Sequence, residues 1–235
     1  MFFKKKAEER PALIYQHLGL GDYIILSGGL KYLKRKGFLK QTFCICKHQY
    51  LNSVKQLYAD VEGFEIIGVN DWKAAEILVR QWKGEKMIIG FDKMVDWSHF
   101  DLDFYRIIGV DFNERWDSFT IERNLEAENE LLDQINLPEN FVFVHDDQSR
   151  GYRISNEYFA KDLPVIRPHL TNSIFDWIPV LERATEIHCM CSSFKHLTDS
   201  LPNIKSVLYY HHSYVNNGVA RETSISASKK KWQII

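Results

Sequence analysis

The chain has 235 residues, 45% of them hydrophobic and 14% aromatic, enough to bury a core in one large domain or two small ones. Its 30 Lys and Arg nearly balance 31 Asp and Glu, for a formal net charge of -1, so no electrostatic case exists for a nucleic-acid or membrane-surface partner. No run approaches the roughly 20 apolar residues that span a bilayer, and the opening Met-Phe-Phe-Lys-Lys-Lys lacks a signal-peptide core, so a cytoplasmic protein is expected.

Short apolar runs alternate with segments of helical period. Ala12–Gln16 reads as a strand, followed by a helix over Asp22–Lys36 with an apolar face of Ile24, Ile25, Leu26, Leu30 and Leu33. Lys31, Lys34, Arg35 and Lys36 near its end suit the helix dipole. Strands are expected at Thr42–Cys46, Glu65–Val69 and Lys86–Gly90, with helices around Leu51–Asp60, Trp72–Trp82, Leu102–Ile108 and Thr120–Ile135. Leu137-Pro138-Glu139-Asn140 resets the pattern, and a domain boundary is expected near 137. Strands then recur at Phe141–His145, Pro164–Arg167, Glu186–Cys191 and Ser206–His211, with helices at Ile174–Ala184 and Phe194–Leu201. The tail Asn216–Lys231 is polar, and Trp232–Ile235 is apolar enough to dock back on the fold. This repeated alternation predicts an α/β chain of two Rossmann-like halves with parallel sheets, residues 1–137 and 138–235.

The four cysteines form two C-x-C pairs, Cys44/Cys46 and Cys189/Cys191, inside alternating apolar runs. Residues i and i+2 share one strand face, so these read as buried thiols rather than zinc ligands, whose spacing is commonly C-x2-C on loops. No metal site is expected.

Three motifs can carry chemistry. The first, His17-Leu18-Gly19-Leu20-Gly21-Asp22, joins the first strand to the first helix. Gly19 and Gly21 permit close backbone approach, and the helix N-terminus offers N–H groups to an anion. The spacing matches neither G-x-G-x-x-G nor a P-loop, and plain capping by Asp22 is the alternative. The second, Cys191-Ser192-Ser193-Phe194-Lys195-His196-Leu197, opens a helix in the second half. Ser192 and Ser193 can serve a pyrophosphate there, or Ser192 can simply cap with His196 packed on the sheet. The third, Val144–Arg153, follows a strand at the carboxyl edge of a sheet, where ligands of open α/β sheets bind. Arg150 and Arg153 can pair with phosphates, and His145, Asp146 and Asp147 can contact a nucleotide or form a solvated turn. His211-His212, Asp92, Asp96, His99, Arg167 and His169 also follow strands and are weaker candidates. The hydrolase elbow G-x-S-x-G is absent.

The stretch HLGLGDYIILSGGLKYL resembles the opening of the ADP-heptose:lipopolysaccharide heptosyltransferase family, and CSSFKHL resembles its Asp-Thr-Gly-x-x-His-Leu element, with Cys191 in place of the aspartate. That resemblance implies a GT-B-like fold whose halves face a cleft, with Asp22 as catalytic base and the second element handling the donor's phosphates. The expectation is then a metal-independent, inverting glycosyltransferase that uses a nucleotide-diphospho-sugar as co-substrate, needs no other cofactor, and glycosylates a glycan hydroxyl. Its substrate- and donor-binding residues would be His17, Gly19, Gly21, Arg150, Arg153, Ser192, Ser193 and His196, with the first half on the acceptor side and the second on the donor side. A nucleotide-sugar epimerase and a catalytically silent nucleotide- or glycan-binding protein are the alternatives.

Overall fold

The computed structural model describes residues 11–96, 99–146, 153–216, 219–222 and 226–235, with the backbone alone described at 213–222. The chain forms two compact units, Met1–Glu122 and Arg123–Ile235. Each is built round its own parallel sheet.

The first unit carries strands β1 (Ala12–Tyr15), β2 (Thr42–Lys47), β3 (Phe64–Val69) and β4 (Glu85–Ile88) in the order β3-β2-β1-β4. All four residues of β1 are buried, as expected of a central strand apolar on both faces. Helices α1 (Leu20–Arg35), α2 (Leu51–Leu57), α3 (Trp72–Gln81), α4 (Phe100–Ile108) and α5 (Glu114–Asp117) complete the unit. The second unit opens with α6 (Leu125–Ile135) and carries β5 (Val142–His145), β6 (Val165–Ile166), α7 (Ile178–Arg183), β7 (Glu186–Cys189), α8 (Ser193–Ser200) and β8 (Val207–Tyr210). An antiparallel hairpin, β9 (Ser213–Asn216) with β10 (Val219–Glu222), follows. The apolar C-terminus docks as expected, since β11 (Trp232–Ile234) pairs parallel with β8 and completes the order β11-β8-β7-β5-β6.

Helix α1 is the best-packed element of the first unit. Every residue from Tyr23 to Lys31 is buried, so no face of these turns meets solvent. Two glycines make this possible. A Cβ on Gly28 would overlap the Glu114 carbonyl oxygen and lie 2.7 Å from that of Arg115, while one on Gly29 would lie 2.7 Å from Ile108 Cδ1. The Tyr105 hydroxyl enters the helix ladder, donating to the Ile25 carbonyl at 2.8 Å and accepting from the Gly29 N–H at 3.0 Å. Behind it, Arg115 Nη1 and Asp101 Oδ2 form a wholly buried ion pair at 2.6 Å.

Three expectations are corrected. The domain boundary lies at Glu122/Arg123 rather than near 137, because α6 packs on α7 and Arg123 bonds both Glu128 (2.5 Å) and Glu182 (2.9 Å) of the second unit. Helix α6 begins at Leu125 rather than at Thr120, where Asn124 caps it by accepting from the Ala127 N–H at 3.2 Å. Lys31 is not a solvated dipole partner. It is 4% exposed and donates to Asp60 Oδ1 at 2.5 Å and to the Thr120 carbonyl at 2.8 Å.

Alanine in a helix interior ordinarily stabilises by up to about 1 kcal/mol over glycine. At Gly28 the overlap with two backbone carbonyls reverses the sign. Gly28→Ala should cost about 1–3 kcal/mol in denaturant unfolding, and an unchanged or raised midpoint would show that α5 yields freely.

Candidate active site

Each motif loop borders the strand-order reversal of its own sheet, one after the strand that opens the sheet and the other after the strand that returns. In the first unit the chain runs outward from β1 through β2 to β3 and then returns to β4 on the other side of β1. In the second it runs from β5 to β6 and returns to β7 on the other side of β5. Strand order therefore reverses at β1/β4 and at β5/β7. The carboxyl ends of such strands are where open α/β sheets hold ligands. His17–Asp22 follows β1, and Cys191–Leu197 follows β7.

At the first reversal, His17 Nε2 accepts the Phe91 N–H at 3.0 Å, which leaves the ring proton on Nδ1. Burial lowers its pKa, so the imidazole is neutral at physiological pH. The ring thus holds the turn after β4, where Gly90 (φ 91) and Phe91 (φ 58) both adopt left-handed backbone conformations. Gly19 is the N-cap of α1 in an extended conformation, Gly21 lies in the first turn, and Asp22 is the third helical residue. The Asp22 carboxylate accepts the Gly19 N–H and lies over the Gly19 Cα, where a Cβ would come within 2.8 Å of Oδ2. This is the carboxylate half of a capping box. The Asp22 pKa is raised to about 7, because desolvation outweighs the lowering by that hydrogen bond. The positive helix terminus acts in the opposite direction and is outweighed. Gln16, which closes β1, is wholly buried, and neither side-chain amide atom has a hydrogen-bond partner among the described residues.

At the second reversal several polar groups are paired, while Thr198 Oγ1 of α8 is buried without a hydrogen-bond partner among the described residues. Ser192 caps α8 by accepting the Lys195 N–H at 3.3 Å, and Ser193 is the first helical residue. His196 is 3% exposed, with its N–H bonded to the Ser192 carbonyl at 3.1 Å. Asp146 is buried after β5 and paired with Arg167, which follows β6, at 3.4 Å. Arg153 is exposed beside buried Ile154, which packs with Val142, Val144 and Met190. Arg150 and Asp147 lie outside the described residues. His188 Nδ1 and His211 Nε2 lie 3.0 Å apart, so one proton joins them. Burial lowers both pKa values, that of His211 to about 4. Lys195, not among the sequence candidates, is buried and paired with Asp199 at 2.6 Å. Ser228 Oγ and Trp232 Nε1 donate to the same carboxylate at 2.5 and 2.7 Å, which ties the C-terminal strand to α8.

The remaining candidates do not join either constellation. His99 and Asp96 form an exposed pair at 2.7 Å, Asp92 is exposed, and His169 is exposed with its ring against Trp177 at 5.1 Å. His145 packs on Phe194 at 4.8 Å between ring centroids. The thiols of Cys44, Cys46 and Cys189 are buried, and burial pushes that of Cys46 up to about 12. Cys191 is partly exposed. Among the described residues no three His, Cys, Asp or Glu side chains converge as metal ligands.

This architecture has known counterparts. A bacterial iron-containing dodecameric glycosyltransferase, TibC from enterotoxigenic E. coli, superposes with a TM-score of 0.55 at 13% identity, over 88% of this chain and 59% of its own. A glycosyl transferase of family 9 from Veillonella parvula superposes with a TM-score of 0.54 at 10% identity, over 88% of this chain and 82% of its own. The chain therefore has an α/β fold shared with GT-B-like glycosyltransferases, and it spans 59% of the length of TibC. No protein-family model matches it, and no curated protein matches it in sequence. Among the described residues no helix is long and apolar enough to cross a membrane.

Asp22 also marks stability. A carboxyl with a folded pKa of about 7 and an unfolded value of about 3.9 holds a proton when folded that the unfolded chain has lost. Its presence therefore costs stability progressively as pH rises from about 4 to about 7. Asp22→Asn should gain on the wild-type protein across that window in urea titrations and level off above it. A gain independent of pH would refute the raised pKa.

Proposed function

We propose that this chain transfers a glycosyl group from a nucleotide-diphospho-sugar to a hydroxyl of a glycan acceptor, with Asp22 as the general base. The observation that carries this is the placement of Asp22, a carboxylate held against Gly19 at the strand-order reversal of a sheet whose fold glycosyltransferases share. In this reading Asp22 takes the proton of the acceptor hydroxyl while that oxygen bonds to the anomeric carbon. The bond from that carbon to the diphosphate breaks, and the nucleoside diphosphate leaves with the electron pair. A base near pKa 7 is half ionised at neutral pH yet basic enough to be useful, so desolvation supports the role.

The reading assigns the donor's phosphates to Ser192, Ser193, Arg150 and Arg153. Ser192 Oγ accepts from the Lys195 N–H with a lone pair, so its own proton remains available to a phosphate oxygen. The first-turn N–H groups of α8 add a partial positive charge where negative charge develops on the leaving group. His17 supports the site by holding the β4 turn, and His196 by filling the buried side of α8. The inverting stereochemistry and the cytoplasmic setting, where nucleotide-sugars are available, belong to the same proposal. No step is routed through a metal ion.

Two measurements test it. Thermal-shift titration against UDP-, GDP-, ADP- and CMP-sugars should show stabilisation by one series, rising with the logarithm of concentration above its Kd. Silence across all four would overturn the transferase reading. With that donor, Asp22→Asn should lower kcat by roughly 100-fold or more while leaving donor affinity unchanged. The wild-type rate should climb through about pH 7 as Asp22 loses its proton, and full activity in the variant would remove Asp22 as the base.

A further inference from the structure

Four aromatic rings from three segments meet at the carboxyl edge of the first sheet. Tyr15 ends β1, His17 follows it, Trp72 opens α3 beyond β3, and Phe91 follows β4. Tyr15 and Phe91 stack at 4.9 Å with planes 25° apart. Trp72 meets Phe91 edge-on at 5.7 Å and Tyr15 at 6.2 Å, and His17 meets Phe91 at 4.8 Å. Lys47, the last residue of β2, places its ammonium 5.7 Å from the centre of the Trp72 ring. Tyr15 is 7% exposed, whereas Trp72 is 38% exposed.

Two features set this cluster apart from ordinary edge packing. Phe91 sits at φ 58, a conformation that costs a non-glycine residue about 1 kcal/mol or more, and the turn carries it while presenting the ring to this edge. The most exposed ring of the cluster is also its largest, and it is backed by two others that restrict its movement. A stiff, partly exposed aromatic ring with a cation over one face leaves its other face for stacking and matches one ligand chemistry well. A pyranose has a face of C–H groups, which packs on an aromatic ring, and a rim of hydroxyls, which accept hydrogen bonds from an ammonium.

We propose that Trp72, supported by Tyr15 and Phe91, is the platform on which a pyranose ring of the acceptor stacks, with Lys47 bonding its hydroxyl rim. This rests on the glycosyl-transfer reading for the word acceptor, but the saccharide site itself rests on the aromatic geometry. The loop that carries Asp22 leaves β1 at Tyr15 and passes through His17, both of which contact Phe91, so the platform and the carboxylate belong to one edge.

The test uses the full chain without donor. Methyl α-D-glucopyranoside, methyl α-D-mannopyranoside and methyl β-D-galactopyranoside are titrated at millimolar concentration, with saturation-transfer NMR and tryptophan fluorescence as readouts. At least one should bind saturably. Trp72→Ala should weaken that binding about tenfold, and Trp72→Phe, which keeps a ring, by no more than about threefold. Thermal melts of each variant report folding, and if Trp72→Ala melts early, the comparison rests on Trp72→Phe and Lys47→Ala. Absence of binding by all three glycosides, or binding insensitive to Trp72, overturns the platform. Donor stabilisation alongside either failure leaves the transferase reading standing. Trp72-dependent glycoside binding without any donor stabilisation leaves a saccharide site and sinks that reading instead.

Discussion

The first unit depends on α1 being unable to move. The helix is buried over Tyr23–Lys31, closed on by the backbone of α5 at Gly28 and by Tyr105 and Ile108 of α4 at Gly29. The Tyr23 hydroxyl ties it to the β2 backbone through the Ile45 carbonyl at 2.6 Å, and Lys31 ties its other end to Asp60. A helix held on every side fixes its first turn, and Asp22 lies in that turn. Asp22 is half-buried there, and desolvation of its carboxyl favours the protonated form. The helix terminus opposes this with about 0.3–1 kcal/mol, less than one pKa unit, whereas burial of a carboxyl can amount to several units. Burial wins, and the pKa rises to about 7.

Much of the architecture was legible because parallel sheets require strands apolar on both faces and crossover helices with one apolar stripe. Runs such as Ala12–Tyr15 and Val142–His145 announce themselves in that way. What escaped was decided by tertiary partners. The segment before Leu125 has helical composition, yet Asn124 stops the helix there with a side-chain cap. The hairpin β9–β10 reads as a polar tail because a short two-stranded element carries no apolar run. Lys31 and Lys195 look like surface lysines, and their partners Asp60 and Asp199 become evident only in three dimensions, although Asp199 stands at the i+4 position of Lys195.

At the site, the sequence located both turns but not what each residue does there. The glycines and Asp22 of the first loop are where they were expected, while His17 bonds the Phe91 backbone, a contact across 74 positions that no local pattern encodes. Gln16 was the missed signal, a polar residue closing a strand of four apolar ones immediately before the motif. The aromatic cluster was equally hidden, because its members come from the ends of different strands.

Among the described residues the two carboxyl edges place different groups at the strand-order reversal. In the second unit Ser192 caps its helix, Asp146 has Arg167, Asp199 has Lys195, and His188 has His211. In the first, a carboxylate is desolvated, a buried amide has no partner among the described residues, and a phenylalanine occupies left-handed backbone. Each is a cost the fold sustains without visible return to stability, and such costs persist where a bound partner or a reaction uses them. A hydroxyl beside Asp22 would accept or donate what that carboxylate lacks in its desolvated state. The second edge suits a different task, a preformed set of donors that meets an anion without rearranging. On the proposed reading, Asp22 of the first unit takes the proton and the serines of the second serve the donor's phosphates.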